Sequence, residues 1–113
     1  MSEAGLQDAM RLRRAGRLAE AAQIYQAILK DQPQHFEVLH ALGILNYQSG
    51  RLEDAERLIA EATRVNPRAA DAQYNRGSLL LKLNRIEEAV SAFDQALRVK
   101  PITQKRSAIA VRL

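Results

Sequence analysis

Residues 36–69, FEVLHALGILNYQSGRLEDAERLIAEATRVNPRA, read as a helix, a tight turn at Gly50, a second helix and a stop at Pro67. Shifted by 34 residues in either direction, the same punctuation returns. Pro33, Pro67 and Pro101 share a column, as do Ala21, Ala55 and Ala89. So do Gly16, Gly50 and Asn84, with Asn in place of Gly. Arg17, Arg51 and Arg85 keep step, as do Leu18, Leu52 and Ile86, and Glu20, Asp54 and Glu88. Six columns in register are hard to obtain by chance. A repeat of this length signals a stacked array, in which each unit buries its apolar face against its neighbours.

The columns divide the chain into units of about 2–35, 36–69 and 70–103. Apolar spacing predicts helices over about 3–15, 18–31, 36–49, 52–65, 71–83 and 86–99. Gly16, Gly50 and Asn84 end the first helix of each unit, because each accepts the positive φ found just past a helix end. Pro33 ends a second helix and pushes Gln32 out of helical geometry. Gly43 and Gly77 lie mid-helix, where glycine costs up to about 1 kcal/mol against alanine. That cost implies close packing there. The small residues Gly43 and Ala55 would let two backbones approach, with Leu39, Leu42, Leu58, Ile59 and Ala62 around them. Ala9 fills the same column in the first unit. Acids early and bases late in the second helices complement the helix dipole. Glu53 with Arg57 and Asp94 with Arg98 are spaced for favourable pairs.

At 113 residues and 47% apolar content, the chain is one domain with ample material for a core. Cysteine is absent, which excludes disulfides, thiolate metal sites and thiol catalysis. No secretory signal is visible, and the longest apolar run, residues 79–81, falls far short of a membrane span. A cytoplasmic protein without a membrane partner is the default expectation. The net charge is +4, but Lys105, Arg106 and Arg112 lie in the last ten residues, where no acid occurs. Removing three of the 17 basic residues leaves 14 against 13 acids, so the repeats are nearly neutral. No basic stripe crosses them, which argues against a nucleic-acid footprint. Residues 104–113 leave the pattern, as a short capping helix or a frayed basic tail.

The residues that carry a family resemblance are now in view. Unit two supplies Leu39, Leu42, Gly43, Tyr47, Ala55, Ile59, Ala62 and Pro67. Unit three supplies Gly77, Leu80, Ala89, Phe93, Ala96 and Pro101, departing at Gln73 and Arg76. Unit one supplies Ala9, Leu12, Ala21, Tyr25 and Pro33, departing at Gly5, Asp8 and Ile28. The chain resembles the tetratricopeptide repeat (TPR) family over about residues 2–103. The resemblance implies an all-α, right-handed superhelical solenoid of antiparallel helix pairs, three TPR units long. It also implies a protein–protein interaction module of the adaptor kind. Fold alone does not name a function. Some bacterial arrays of similar flavour precede transferase domains, so a regulatory or substrate-recruiting segment related to a larger transferase is the alternative.

No catalytic, cofactor or metal constellation is expected. His35 and His40 are five apart and do not share a helix face as paired ligands would. The glycines are too sparse for a phosphate loop. The candidate surface is the concave side lined by the first helix of each unit. In unit two it carries Glu37, His40, Ile44 and Tyr47, spaced three, four and three. In unit one it carries Leu6, Met10 and Arg13. In unit three it carries Asp71, Tyr74, Asn75, Ser78 and Leu81. Together these form an apolar strip with acids at Glu3, Glu37 and Asp71, and bases at Arg13, Arg14 and Lys82. Such a strip suits a peptide or partner helix. Ile44, Tyr47 and Leu81 could equally join adjacent units. Asn75 lies where some family members hold a ligand's backbone. Chaperone-binding relatives clamp a carboxylate, but Leu6, Met10, Ala41, Asp71 and Asn75 occupy those positions here, so no such clamp is expected. The apolar residues Ile109, Val111 and Leu113 suggest a weak homodimer through the C-terminal end. RNA binding through the basic residues beyond 103 is a further, weaker reading.

Overall fold

The computed structural model describes residues 3–100 as six helices. They are α1 (Glu3–Arg14), α2 (Leu18–Asp31), α3 (Phe36–Gln48), α4 (Leu52–Val65), α5 (Ala70–Lys82) and α6 (Ile86–Val99). No strand occurs among the described residues. The expectations for Pro101, for residues 104–113 and for the Glu3 side chain lie outside them. The expected helices are all present. α1 and α3 each end one residue early, and α5 begins and ends one residue early, which is ordinary variation at helix ends.

Two kinds of stop alternate. After α1, α3 and α5 the backbone turns left-handed, at Gly16 (φ 83°), Gly50 (φ 83°) and Asn84 (φ 62°). The amides of Arg17, Arg51 and Arg85 then reach back to the carbonyls of Leu12, Asn46 and Leu80 at 2.8–2.9 Å. This closes the orphan carbonyls at each helix end. After α2, α4 and α6 the chain leaves helical geometry in extended form, at Gln32, Asn66 and Lys100 (φ −131° to −138°). Pro33 and Pro67 follow the first two of these and cannot continue a helix. His35 caps α3, its ring Nδ1 accepting from the Val38 amide at 3.3 Å.

Helices pack in sequence, each pair antiparallel and each first helix also resting on the second helix of the unit before. The result is a helical-repeat solenoid, elongated to 45 × 31 × 24 Å. The mid-helix glycines sit at the tightest crossings. A Cβ on Gly43 would lie 2.5 Å from Ile59, and one on Gly77 would lie 2.7 Å from the Phe93 ring. Unit one solves the same crossing with Ala9 and Tyr25, both fully buried. Ile59, expected around this contact, is what stands nearest to Gly43, and Ala55 shares a cluster with it.

The core runs along the stack as three clusters. Tyr25 and Ile28 of α2 share a cluster with Val38, Leu42 and Leu45 of α3. Ile59 of α4 meets Leu79 of α5. Leu80 of α5 meets Ala89 and Ala92 of α6. Fully burying a side chain of this size contributes about 1.5–3 kcal/mol, so the joints between units are as necessary as the units. The expected pair of Glu53 and Arg57 is replaced by Arg57 with Asp54, at 2.8 Å. No ion pair joins Asp94 to Arg98 among the described residues.

Candidate functional site

The surface formed by α1, α3 and α5 carries the residues expected to line it, but as separate hollows and not one strip. The larger, of about 540 Å³, lies between α1 and α3. Leu6, Met10 and Arg13 form one wall, and Glu37, His40 and Ile44 the other. The fully buried Tyr25 lies beneath it. A smaller hollow of about 200 Å³ follows between α3 and α5, bounded by Ile44, Tyr47, Asn75 and Ser78. Ile44 belongs to both.

A polar bridge interrupts the strip. The Asn75 amide nitrogen lies 2.9 Å from Nε2 of His40. An amide nitrogen can only donate, so Nε2 accepts and the neutral ring carries its proton on Nδ1. Burial pushes His40 below its ordinary pKa, and the Asp71 carboxylate pulls it partly back. The Phe36 ring leans on the imidazole, with centroids 5.6 Å apart. Asn75 therefore spends a donor on joining two units. The spacing from 40 to 75 is one repeat plus one residue, and that offset was the available sequence signal.

The tyrosines fare differently. Tyr47 is half-buried against the cluster of Ala55, Ile59 and Leu79, so it helps to join units two and three. Tyr74 is 58% exposed, and its ring meets Phe93 at 5.4 Å. With Asp71 it borders a third hollow of about 440 Å³, which opens toward the C-terminal end beside Leu97 and Lys100. Leu81 is also exposed, at 47%. Tyr74 and Leu81 thus lie apart from the hollow that holds Leu6 and Met10.

The structure also shows a charged cluster that the sequence did not reveal. Glu56 of α4, nearly buried, lies 3.6 Å from Arg76 of α5 and 3.7 Å from Arg85. Arg85 also binds Glu88 at 2.7 Å, which holds the Glu88 carboxyl below its usual range. Arg76 stands where the family pattern expects leucine, and its partner explains the departure. No group of three or more His, Cys, Asp or Glu suited to a metal occurs among the described residues.

A family model described as tetratricopeptide repeat matches residues 6–58 and 40–101. The chain belongs to the tetratricopeptide repeat family. Such repeats are generally protein-interaction modules. Several solved structures share the fold. A mutant form of the O-GlcNAc transferase of Thermobaculum terrenum aligns at TM-score 0.80 and 27% identity, over 88% of this chain and 19% of that one. A structure of the MamA protein aligns at TM-score 0.83 and 22% identity, over 87% of this chain and 54% of the other. MamA AMB-1 aligns at TM-score 0.80 and 24% identity, over 86% and 53%. The TPR chain thus spans about a fifth of the transferase and about half of the MamA chains. No curated protein is matched. No helix among the described residues is long and apolar enough to cross a membrane.

Proposed function

We propose that this chain is a non-catalytic adaptor that takes a peptide or partner helix on the surface of α1, α3 and α5. The observation that carries this is the 540 Å³ hollow, with apolar Leu6, Met10 and Ile44 between Arg13 on one side and Glu37 on the other. Apolar anchors would fill it, and charges of both signs at its rim would fix direction. A phosphate backbone would want cations alone.

The test is selection of displayed peptides on the immobilised chain, followed by binding to variants. Met10→Ala with Ile44→Ala should weaken the selected peptides by about tenfold or more, the loss of two partly buried anchors. Tyr74→Ala, on a separate hollow, should matter less. Peptides that bind the double variant normally, with its helical spectrum intact, would place the site elsewhere.

A second reading is a recruiting segment related to a larger transferase. Its support is the 27% identity to the O-GlcNAc transferase across 88% of this chain. Selected peptides that also occur in substrates of a transferase would favour it over a free-standing adaptor.

A further inference from the structure

Three buried side-chain groups have no hydrogen-bond partner among the described residues: Nε of Arg13, the Tyr25 hydroxyl and Nε of Arg76. Arg76 at least has the Glu56 carboxylate 3.6 Å away. Arg13 makes no ion pair among the described residues. Arg13 and Tyr25 both line the 540 Å³ hollow between α1 and α3, and Tyr25 is fully buried. We propose, resting on the reading of this hollow as a peptide seat, that it takes the side-chain carboxylate of an aspartate or glutamate in the bound peptide, with Arg13 and Tyr25 as the donors.

The hollow between α3 and α5 is built from the same columns and serves as a control. Arg13 and Tyr25 of the first hollow correspond to Tyr47 and Ile59 of the second. Ile59 has no polar side-chain atom, and Tyr47 packs on the cluster of Ala55, Ile59 and Leu79. At that joint the polar groups answer each other, because the Asn75 amide donates to His40 at 2.9 Å. The columns of that bond hold Leu6 and Ala41 at the first joint, and neither side chain can accept. Glu37, on the opposite wall, is exposed and forms no ion pair with Arg13. The second joint thus closes on itself, while the first keeps two donors without an acceptor from the protein. Buried polar groups are nearly always satisfied, so two orphans in one hollow point to an acceptor supplied from outside.

The chemistry of the two groups selects the acceptor. A guanidinium only donates, and a phenol can donate. A carboxylate offers both an oxygen for each and the charge that balances a partly buried guanidinium, and such charge-assisted bonds are the strong ones. A phosphate would bring a charge of about two against a single cation, with Glu37 opposite. The source is a side chain and not a chain end, because the walls are Leu6, Met10, Ala41 and Ile44. A chain end drawn in to meet Tyr25 would carry its own amides between apolar walls that cannot pair them. A side chain can reach inward and leave its backbone at the open rim. The exposed Glu37 then suits a basic residue near the acid in the same peptide.

The test selects peptides on the full chain from a library held between fixed flanks, so that no free chain end is offered. Binders weakened by Met10→Ala with Ile44→Ala are kept, and they should carry Asp or Glu at one fixed position. Changing that acid to its amide should weaken binding by about tenfold on the parent chain, and by less than about twofold on Arg13→Met, which keeps an apolar stem. Tyr25→Phe should cost the acidic peptide about threefold. It should not lower the urea midpoint of the free chain, since the hydroxyl gives up no partner there. Binders that need Met10 and Ile44 but carry no fixed acid, or whose acid is indifferent to Arg13, would overturn the carboxylate and leave the peptide seat standing. A lowered midpoint for Tyr25→Phe would mean that the hydroxyl is already paired, and would overturn it too. If no binder depends on Met10 and Ile44, the seat itself falls and the carboxylate falls with it.

Discussion

The two ends of the solenoid are built on one pattern and finished in opposite ways. In α3 the positions that rest on the preceding unit are Val38, Ala41, Leu42 and Leu45, all packed in the core. In α1 the same columns hold Ala4, Gln7, Asp8 and Arg11, all exposed, with Arg11 bound to Asp8 at 2.5 Å. That end presents a polar outer face. At the other end α6 presents Ile86, Val90, Phe93 and Leu97. The comparison teaches that the repeat columns specify the helices, while departures within them specify what each face meets.

The largest effect should come from the close crossings, where the crossing of α3 and α4 can be set against that of α5 and α6. Gly43→Val should destabilise by about 3 kcal/mol, because Ile59 is fully buried and cannot step aside. Gly77→Val should cost about half as much, because the half-buried Phe93 ring borders a hollow beside Leu97 and Lys100 into which it can swing. Urea unfolding of both variants checks the order, and equal losses would mean that the two crossings are equally enclosed.

Next in size is the joint that uses charge. Glu56→Leu alone should cost about 1–2 kcal/mol, because it strands the Arg76 guanidinium in a mostly buried place. Adding Arg76→Leu should return most of that loss, making this joint resemble the apolar one between units one and two. A double variant no better than the single would mean that the stranded Arg76 is not what makes Glu56→Leu costly.

The smallest effect concerns His40, the polar point of the same joint. Its pKa is lowered in the fold, so the unfolded chain takes up the proton first as pH falls through about 6.5. Stability should therefore drop from pH 7.5 to 5.5, and the drop should end below the folded pKa. Half-burial and screening hold it to a few tenths of a kcal/mol. His40→Gln should flatten the profile by that amount, whereas an unchanged profile would assign the pH dependence elsewhere.

The fold was legible because its signals repeat. Three helix ends at Gly16, Gly50 and Asn84 gave one message three times, and the mid-helix glycines correctly marked close crossings. Which side chain stands nearest to Gly43 was not legible, because helical register within a crossing depends on the angle between helices, which spacing does not carry. The surface was less legible. Leu6, Met10, Arg13, Glu37, His40 and Ile44 do line one hollow. Asn75 and Tyr47 are drawn into joints instead, because neighbouring units compete for the same positions. Glu56 with Arg76 escaped notice because each looks like a solvated charge until the other is placed beside it.

The contrast between the ends is tested most directly by one matched pair of substitutions, Val90→Lys on α6 and Gln7→Lys on α1. Both sites are exposed among the described residues, and lysine is at least as good a helix former as valine. Urea unfolding should show a loss of about 0.5–1 kcal/mol for Val90→Lys, because the valine side chain is about half buried on an apolar helix face. Gln7→Lys should stay within about 0.5 kcal/mol of the parent. If both substitutions are neutral, the two faces differ in composition alone and the contrast carries no energy.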